Sequence, residues 1–229
     1  MLPKDIRFLI FDMDGTIIDS MSSHAGIFSS ILWRRFGVAQ DLGRDGYFNT
    51  AGMAVDEQFV YMLELSDIKQ EVDINALADE FWNGVDALEP VLFPDTLPAL
   101  KQLRANGYEL CVISACTPQI VKSKLAKSGL VKYFRLTLGT DKSIPNMAKG
   151  LGHFTIISDS IGLTGVEFRR SVAMIGDAEY DMKIAKQARI LGIGRITGDN
   201  QHALKKAGAA LLIHDLRELA AMSHLHTIR

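Results

Sequence analysis

Residues 6–16 read Ile6-Arg7-Phe8-Leu9-Ile10-Phe11-Asp12-Met13-Asp14-Gly15-Thr16. A run this short, rich in β-branched and aromatic side chains, is the mark of a buried strand. It stops abruptly at two carboxylates and a glycine. Residues i and i+2 of an extended segment point the same way, so Asp12 and Asp14 face one side. The carboxyl end of a strand is where open α/β sheets place their ligands. The plain alternative is an acidic turn between strand and helix. A single Asp after a strand is common, but two aspartates plus Gly15-Thr16 after so apolar a run are much rarer, and they favour a site.

Working outward, similar runs recur at Tyr108–Ser114, Phe134–Leu138, Val172–Gly176, Leu191–Ile196 and Ala210–Ile213. Helical spacing separates most of them. Leu97, Leu100, Lys101 and Leu103 precede Gly107; Ile120, Val121, Lys124 and Leu125 precede Gly129; Ile184, Ala185 and Ala188 precede the strand at Leu191. Strands alternating with helices imply a parallel sheet with helices on both faces. Residues 20–90 break the rhythm. Ile27, Phe28, Ile31, Leu32 and Phe36 fall at helical spacing, as do Val55, Phe59, Met62 and Leu63, and then Ile74, Leu77, Ala78, Phe81 and Val85, with no strand among them. The expected architecture is an α/β three-layer, Rossmann-like parallel sheet over residues 1–19 and 91–229, carrying an inserted all-helical domain at 20–90. Trp33, Trp82 and the insert's methionines are expected in the core of that insert.

A second acidic strand end lies at Met174-Ile175-Gly176-Asp177-Ala178-Glu179-Tyr180-Asp181. Asp177 and Asp181, four apart, share a face in a first helical turn. Acidic residues also favour helix N-termini for structural reasons, and that explanation suffices for Asp181 alone. It explains Asp177 less well beside a matching acidic strand end elsewhere. Carboxylates without Cys or His suit Mg2+, a hard cation that commonly binds through one or two carboxylates and a substrate phosphate. The cation has an electrostatic purpose. A phosphate dianion about 4 Å from a bare carboxylate is repelled by several kcal/mol at an effective dielectric near 20, and a divalent ion reverses that sign.

Two weaker signals depend on context. Ser114 ends a strand, where a hydroxyl is more often a turn residue. Lys149 precedes the fourth core strand, and a lysine is usually a solvated charge. Together they supply a hydroxyl donor and a fixed positive charge, as a phosphoryl oxygen beside a carboxylate nucleophile requires.

Composition narrows the partners. The 229 residues are 48% apolar and 23% charged, with a formal net charge of −2 and no block of Lys or Arg. Nothing indicates a nucleic-acid surface or a polybasic membrane anchor. No apolar run approaches the roughly 20 residues of a membrane span, and the N-terminus lacks a signal-peptide pattern. The two cysteines, Cys111 and Cys116, make a poor staple, which agrees with a reducing compartment. The expectation is a cytoplasmic protein, monomer or homodimer, acting on a small phosphorylated metabolite.

With Asp12-Met13-Asp14-Gly15-Thr16, Asp19-Ser20, Gly176-Asp177 through Asp181 and the tail Ala203–Ala209 then Asp215-Leu216, the chain resembles the haloacid dehalogenase superfamily. More narrowly, it is similar to the phosphoglycolate phosphatase and beta-phosphoglucomutase branch, with a helical cap after the first motif. The resemblance implies that Asp12 attacks phosphorus and becomes an aspartyl phosphate. It implies that Asp14 is the acid and then the base, and that Thr16 orients it. Magnesium would be held by Asp12, the Asp14 backbone carbonyl and Asp177, with Asp181 in support. Ser114 would bind a phosphoryl oxygen and Lys149 would steady the charge.

Departures from that branch are also readable. Many relatives carry Asn after the Ser114 position; here Ala115-Cys116 follows, at a place expected to touch substrate phosphate. The third motif often reads Lys-Pro-x-Pro, and here it is Lys149-Gly150-Leu151-Gly152. Lys149 is assigned by its spacing of 28 positions before Asp177, with Lys142 as a rival. The dehalogenases lack the second aspartate, so Asp14 points to phosphoryl chemistry. His24 is a candidate substrate contact from the cap, with a core or solvent-facing histidine as the alternative. Cys116 reads as a small buried hydrophobe. The expected activity is Mg2+-dependent hydrolysis of a small phosphomonoester, of the phosphoglycolate, sugar or nucleotide phosphate kind. The alternatives are a phosphomutase and a non-catalytic binding or regulatory module that keeps the fold.

Overall fold

Six parallel strands form one sheet in the order β3-β2-β1-β4-β5-β6 in the computed structural model, which describes residues 1–145 and 147–224. The strands are β1 (Phe8–Phe11), β2 (Glu109–Ile113), β3 (Leu136–Leu138), β4 (Val172–Gly176), β5 (Leu191–Arg195) and β6 (Leu211–Ile213). The expected strands are all present, five of them trimmed by one or two residues at an end. β1 lies between β2 and β4, pairing Phe11 with Val112 on one side and with Ile175 on the other. The chain reverses its direction of travel across the sheet there, and the crevice at such a switch point is the natural ligand position.

The burial pattern of β1 shows why a near-continuous apolar run was needed. Leu9 and Phe11 enter one core, and Ile10 enters the other with Cys111, Ile113 and Met174. Both faces of the central strand are covered by helices, as a parallel sheet requires.

Between β1 and the next core helix, α5 (Thr96–Ala105), lie α1 (Met21–Phe36), α2 (Gln40–Asn49), α3 (Val55–Leu65) and α4 (Ile74–Asp86). They close around Phe28, Phe59 and Phe81, with Phe28 stacked on Phe59 at 4.4 Å. The insert thus has four helices where the apolar spacing shows three. The additional α2 contains Gly43 and Gly46, each of which disfavours a helix by about 1 kcal/mol relative to Ala. Packing explains them: a Cβ on Gly43 would come within 3.0 Å of Ser29 on α1, and one on Gly46 would collide with Met62 of α3. Trp33 corrects the expectation of a core position, being 53% exposed, whereas Trp82 is half-buried.

The remaining helices are α6 (Pro118–Lys127), α7 (Leu151–Ile161), α8 (Gly165–Ser171), α9 (Glu179–Ala188), α10 (Gln201–Ala207) and α11 (Leu216–Met222). α7 has no counterpart in the expected pattern. Its Gly, His, Thr, Ser and isoleucines are weak helix formers, and its helical state goes with the docking of Phe154 and Ile157 against the sheet. Among the described residues no helix is long and apolar enough to cross a membrane.

Candidate functional site

The carboxyl ends of β1 and β4 deliver Asp12 and Asp177 to one place, and the first turn of α9 adds Asp181. Carboxylate oxygens of the three lie within 4.8 Å of one another, and all three residues are buried. The loop at Gly15 has φ +84°, and a Cβ there would overlap the Asp177 carboxylate. Only glycine combines that left-handed turn with such an approach. The Thr16 hydroxyl donates to Asp177 Oδ1 at 2.6 Å and lies 3.3 Å from Asp12 Oδ2. It therefore ties the two strand ends together instead of orienting Asp14. Asn200 donates to the Asp177 carbonyl at 2.7 Å, and the Ala178 N–H donates to Asp181 Oδ2 at 3.1 Å.

Lys149 enters this acidic cluster. Its Nζ lies 2.6 Å from Asp12 Oδ1 and 2.7 Å from Asp181 Oδ1, with the side chain only 3% exposed. Lys142 sits elsewhere, at 47% side-chain exposure, bridging Asp56 and Glu57 on α3.

One ammonium does not balance three carboxylates. Burial pushes Asp12 well above the usual carboxylate range; Lys149 pulls against that, and the charges of Asp181 and Asp177 add to the rise. Burial, then Asp181, pushes Asp177 up to about 7, against Thr16 and Lys149. Burial alone would lower Lys149, but Asp12 and Asp181 raise it, so it stays a fixed cation. Three hard oxygen donors with a surplus of negative charge fit a divalent cation.

Asp14 belongs to a different group. Its carboxylate lies outside the three-carboxylate cluster and accepts from Lys124 Nζ and Ser20 Oγ, both at 2.5 Å, and from Cys116 Sγ at 3.0 Å. Burial would raise its pKa, but Lys124 and then His24 hold it well below the ordinary range. His24 Nε2 lies 2.8 Å from Lys124 Nζ, and Nδ1 lies 3.0 Å from Tyr47 Oη. Burial pushes His24 down to about 4, against the pull of Asp14.

The two groups border one cavity of about 40 Å³, between the sheet edge and the inserted helices. Asp12, Asp14, Asp177, Ser114, Ala115, His24 and Lys149 all line it. Thr16 and Asp181 stand just behind. The Ser114 oxygen accepts from the Cys116 N–H at 3.1 Å, which folds the loop after β2 toward the site.

Lys124 escaped the sequence reading as a site residue, though the signal was there. It stands on the apolar stripe of α6 with Ile120, Val121 and Leu125, and a lysine on a buried face needs a partner. Arg195 was missed in the same way. At the end of β5 it donates to the Thr16 carbonyl at 2.7 Å and to Asp95 at 3.0 Å, with Phe93 stacked 4.1 Å beneath its guanidinium. It thereby buttresses the Gly15–Thr16 loop from behind. Removing one partner of a buried pair strands the other charge, at about 3–5 kcal/mol. Arg195→Met is expected to lower unfolding stability by that amount, read from the shift in urea midpoint at constant slope.

Carboxylates from two adjacent strand ends, closed over a buried lysine at the switch point, define an α/β protein with a cation-ready acidic site. Residues 9–194 match the haloacid dehalogenase-like hydrolase family, and the chain belongs to it. It is similar to Probable phosphatase IndB of Dickeya dadantii, 26% identical over 223 residues, covering 94% of this chain and 93% of that protein. It is equally similar, at 26% over 207 residues, to the phosphoglycolate phosphatase of Vibrio vulnificus strain CMCP6, covering 87% of this chain and 88% of that one. Among solved structures, one described as a predicted phosphoglycolate phosphatase from Haemophilus somnus 129pt superposes with a TM-score of 0.77 at 18% identity, over 96% of this chain and 98% of that one. At that identity the likeness concerns the fold.

Proposed function

We propose that the protein is a Mg2+-dependent phosphatase that hydrolyses a small phosphomonoester through an aspartyl phosphate on Asp12. The observation that carries this reading is the Asp12 carboxylate at the end of β1, with Lys149 Nζ at 2.6 Å and the carboxylates of Asp177 and Asp181 alongside. The curated relatives named as phosphatases support it.

Asp12 and Asp177 would hold Mg2+ with the Asp14 backbone carbonyl, Asp181 standing behind them. Bound there, the ion offsets the charge of the carboxylates and of the incoming phosphate. In the first half of the reaction an Asp12 oxygen forms a bond to phosphorus and the ester P–O bond breaks. The leaving oxygen takes a proton from the Asp14 carboxyl. In the second half water attacks the phosphoryl phosphorus, its proton passes to the Asp14 carboxylate, and phosphate departs as Asp12 is restored. Ser114 donates to a phosphoryl oxygen, and Lys149 opposes the protonation that burial favours on Asp12 and keeps its carboxylate aimed. Asp14 stands here as the carboxylate that the second half needs, on Lys124 and Ser20, and takes up a proton before it serves the first half.

Residues 20–90 act as a cap over the core formed by 1–19 and 91–229. The cavity admits only a few water-sized molecules, so substrate enters when these helices move off the sheet edge, and their return excludes water. Phosphate release from a panel of phosphorylated metabolites, with Mg2+ and after exhaustive chelation, tests the reading. Release that disappears on chelation and returns with Mg2+ is the expected result; full activity in chelator would overturn the metal requirement.

A further inference from the structure

We propose that, granted phosphomonoester hydrolysis at Asp12, the protein selects esters whose leaving group carries no negative charge. A small alcohol with apolar surface fits; a group bearing a carboxylate or second phosphate does not. The inference concerns the half of the cavity opposite Asp12, and it rests on an accounting of the cationic groups there.

Two ammonium groups lie near enough to meet a substrate anion, and both are spent. Lys149 is held between Asp12 and Asp181. Lys124 is held by Asp14 and His24. No arginine lines the cavity among the described residues. On the side formed by the inserted helices the polar members are His24, Tyr47 and Gln58. An ammonium has only protons to give, so His24 Nε2 accepts from Lys124, and its Nδ1–H is directed at Tyr47 Oη. Both ring nitrogens are therefore occupied, and the ring carries no charge. The Gln58 amide donates to the Thr50 carbonyl at 2.8 Å. The rest of this wall is formed chiefly by the apolar side chains of Met21, Met53, Val55 and Phe81 and by the Trp82 indole, so that its remaining donors, the Tyr47 hydroxyl and the indole N–H, are uncharged.

The surroundings of the cavity reinforce the choice. A neighbouring cleft of about 680 Å³ shares Met21, Ala51, Met53, Asp177 and Ala178 with the cavity. Its charged lining comprises Asp19, Asp177, Glu179 and Asp199 against Lys183, which is itself bridged to Glu179 at 2.9 Å. An anionic tail would face a negative rim and a mostly apolar wall that offers no free cation, leaving its charge stripped of water and without a counter-charge. An uncharged alcohol exchanges water for methionine and aromatic surface instead.

Two matched pairs test this on the full-length protein with Mg2+: 2-hydroxyethyl phosphate against phosphoglycolate, and phenyl phosphate against 4-carboxyphenyl phosphate. The neutral member of each pair is expected to show a kcat/KM at least tenfold higher. Parity, or preference for the acid, overturns the proposal. Met53→Lys places an ammonium on the apolar wall and is expected to shrink the gap at least fivefold by improving the acidic members; an unchanged ratio counts against the proposal. A binding measurement separates this inference from the hydrolysis reading. Calorimetry on Asp12→Asn with Mg2+ compares propylphosphonate with 3-phosphonopropionate. Should the wild type release phosphate from no ester, the hydrolysis reading falls. The binding result still decides selectivity: tighter alkylphosphonate upholds it, and tighter carboxylate overturns it.

Discussion

Asp12→Asn is expected to lower phosphate release by about 10⁴-fold or more, the scale at which removal of one member disables a unit of cooperating groups. The amide is nearly isosteric but is a poor nucleophile. Structure makes this substitution informative, because it leaves the fold little to lose. Asp12 is one of three buried carboxylates crowded within 4.8 Å, and burial with its acidic neighbours disfavours its ionised form. Neutralising it relieves repulsion, while Lys149 keeps Asp181 as partner. The thermal midpoint of the metal-free variant is therefore expected to equal or exceed that of the wild type. Steady turnover near the wild-type rate in a folded variant would refute the nucleophile assignment.

The second large effect is expected at Lys149. Its ammonium is almost fully buried and touches both Asp12 and Asp181. Lys149→Ala would leave an acidic cluster with no fixed cation, so both the incoming phosphate and the developing charge would go unbalanced. Loss of one such electrostatic contact costs about 10²–10³-fold, and kcat/KM is expected to fall by at least 10²-fold. Lys142→Ala supplies the contrast. That side chain is about half exposed on Asp56 and Glu57, where substitutions usually change stability by no more than about 0.5 kcal/mol. Its kinetics should remain near those of the wild type. Kinetics on both variants, checked by circular dichroism, decide the matter; a severe defect at Lys142 with normal Lys149 would mean that the wrong lysine had been assigned.

The strands of the core were legible because each had to be apolar on both faces. Ile10 and Phe11 serve opposite layers, which leaves little room for polar residues in the run and makes the strand conspicuous. Helix α2 was hidden for the opposite reason. Its glycines are unfavourable locally and make sense only against Ser29 and Met62, contacts that no local window contains.

The acidic members of the site were readable for a related reason. Asp12, Asp14, Asp177 and Asp181 sit at strand ends or a first helical turn, where sequence neighbours announce the position. That both strand ends meet follows once the sheet order is known, and a parallel α/β pattern implies a switch point without saying which strands form it. Lys124, Tyr47 and Arg195 lie on separate elements whose local sequence says nothing of their destination.

The sequence by itself determined the layered parallel sheet, the helical insertion after its first strand and the carboxylates at two strand ends, because periodicity and chain punctuation are local properties. The tertiary structure decided which lysine meets Asp12, that Thr16 serves Asp177, and that Lys124, His24 and Tyr47 form a closed chain of hydrogen bonds ending on Asp14. Those outcomes depend on distances between residues up to 161 positions apart. Such distances are set by how whole elements pack, so no local pattern along the chain encodes them.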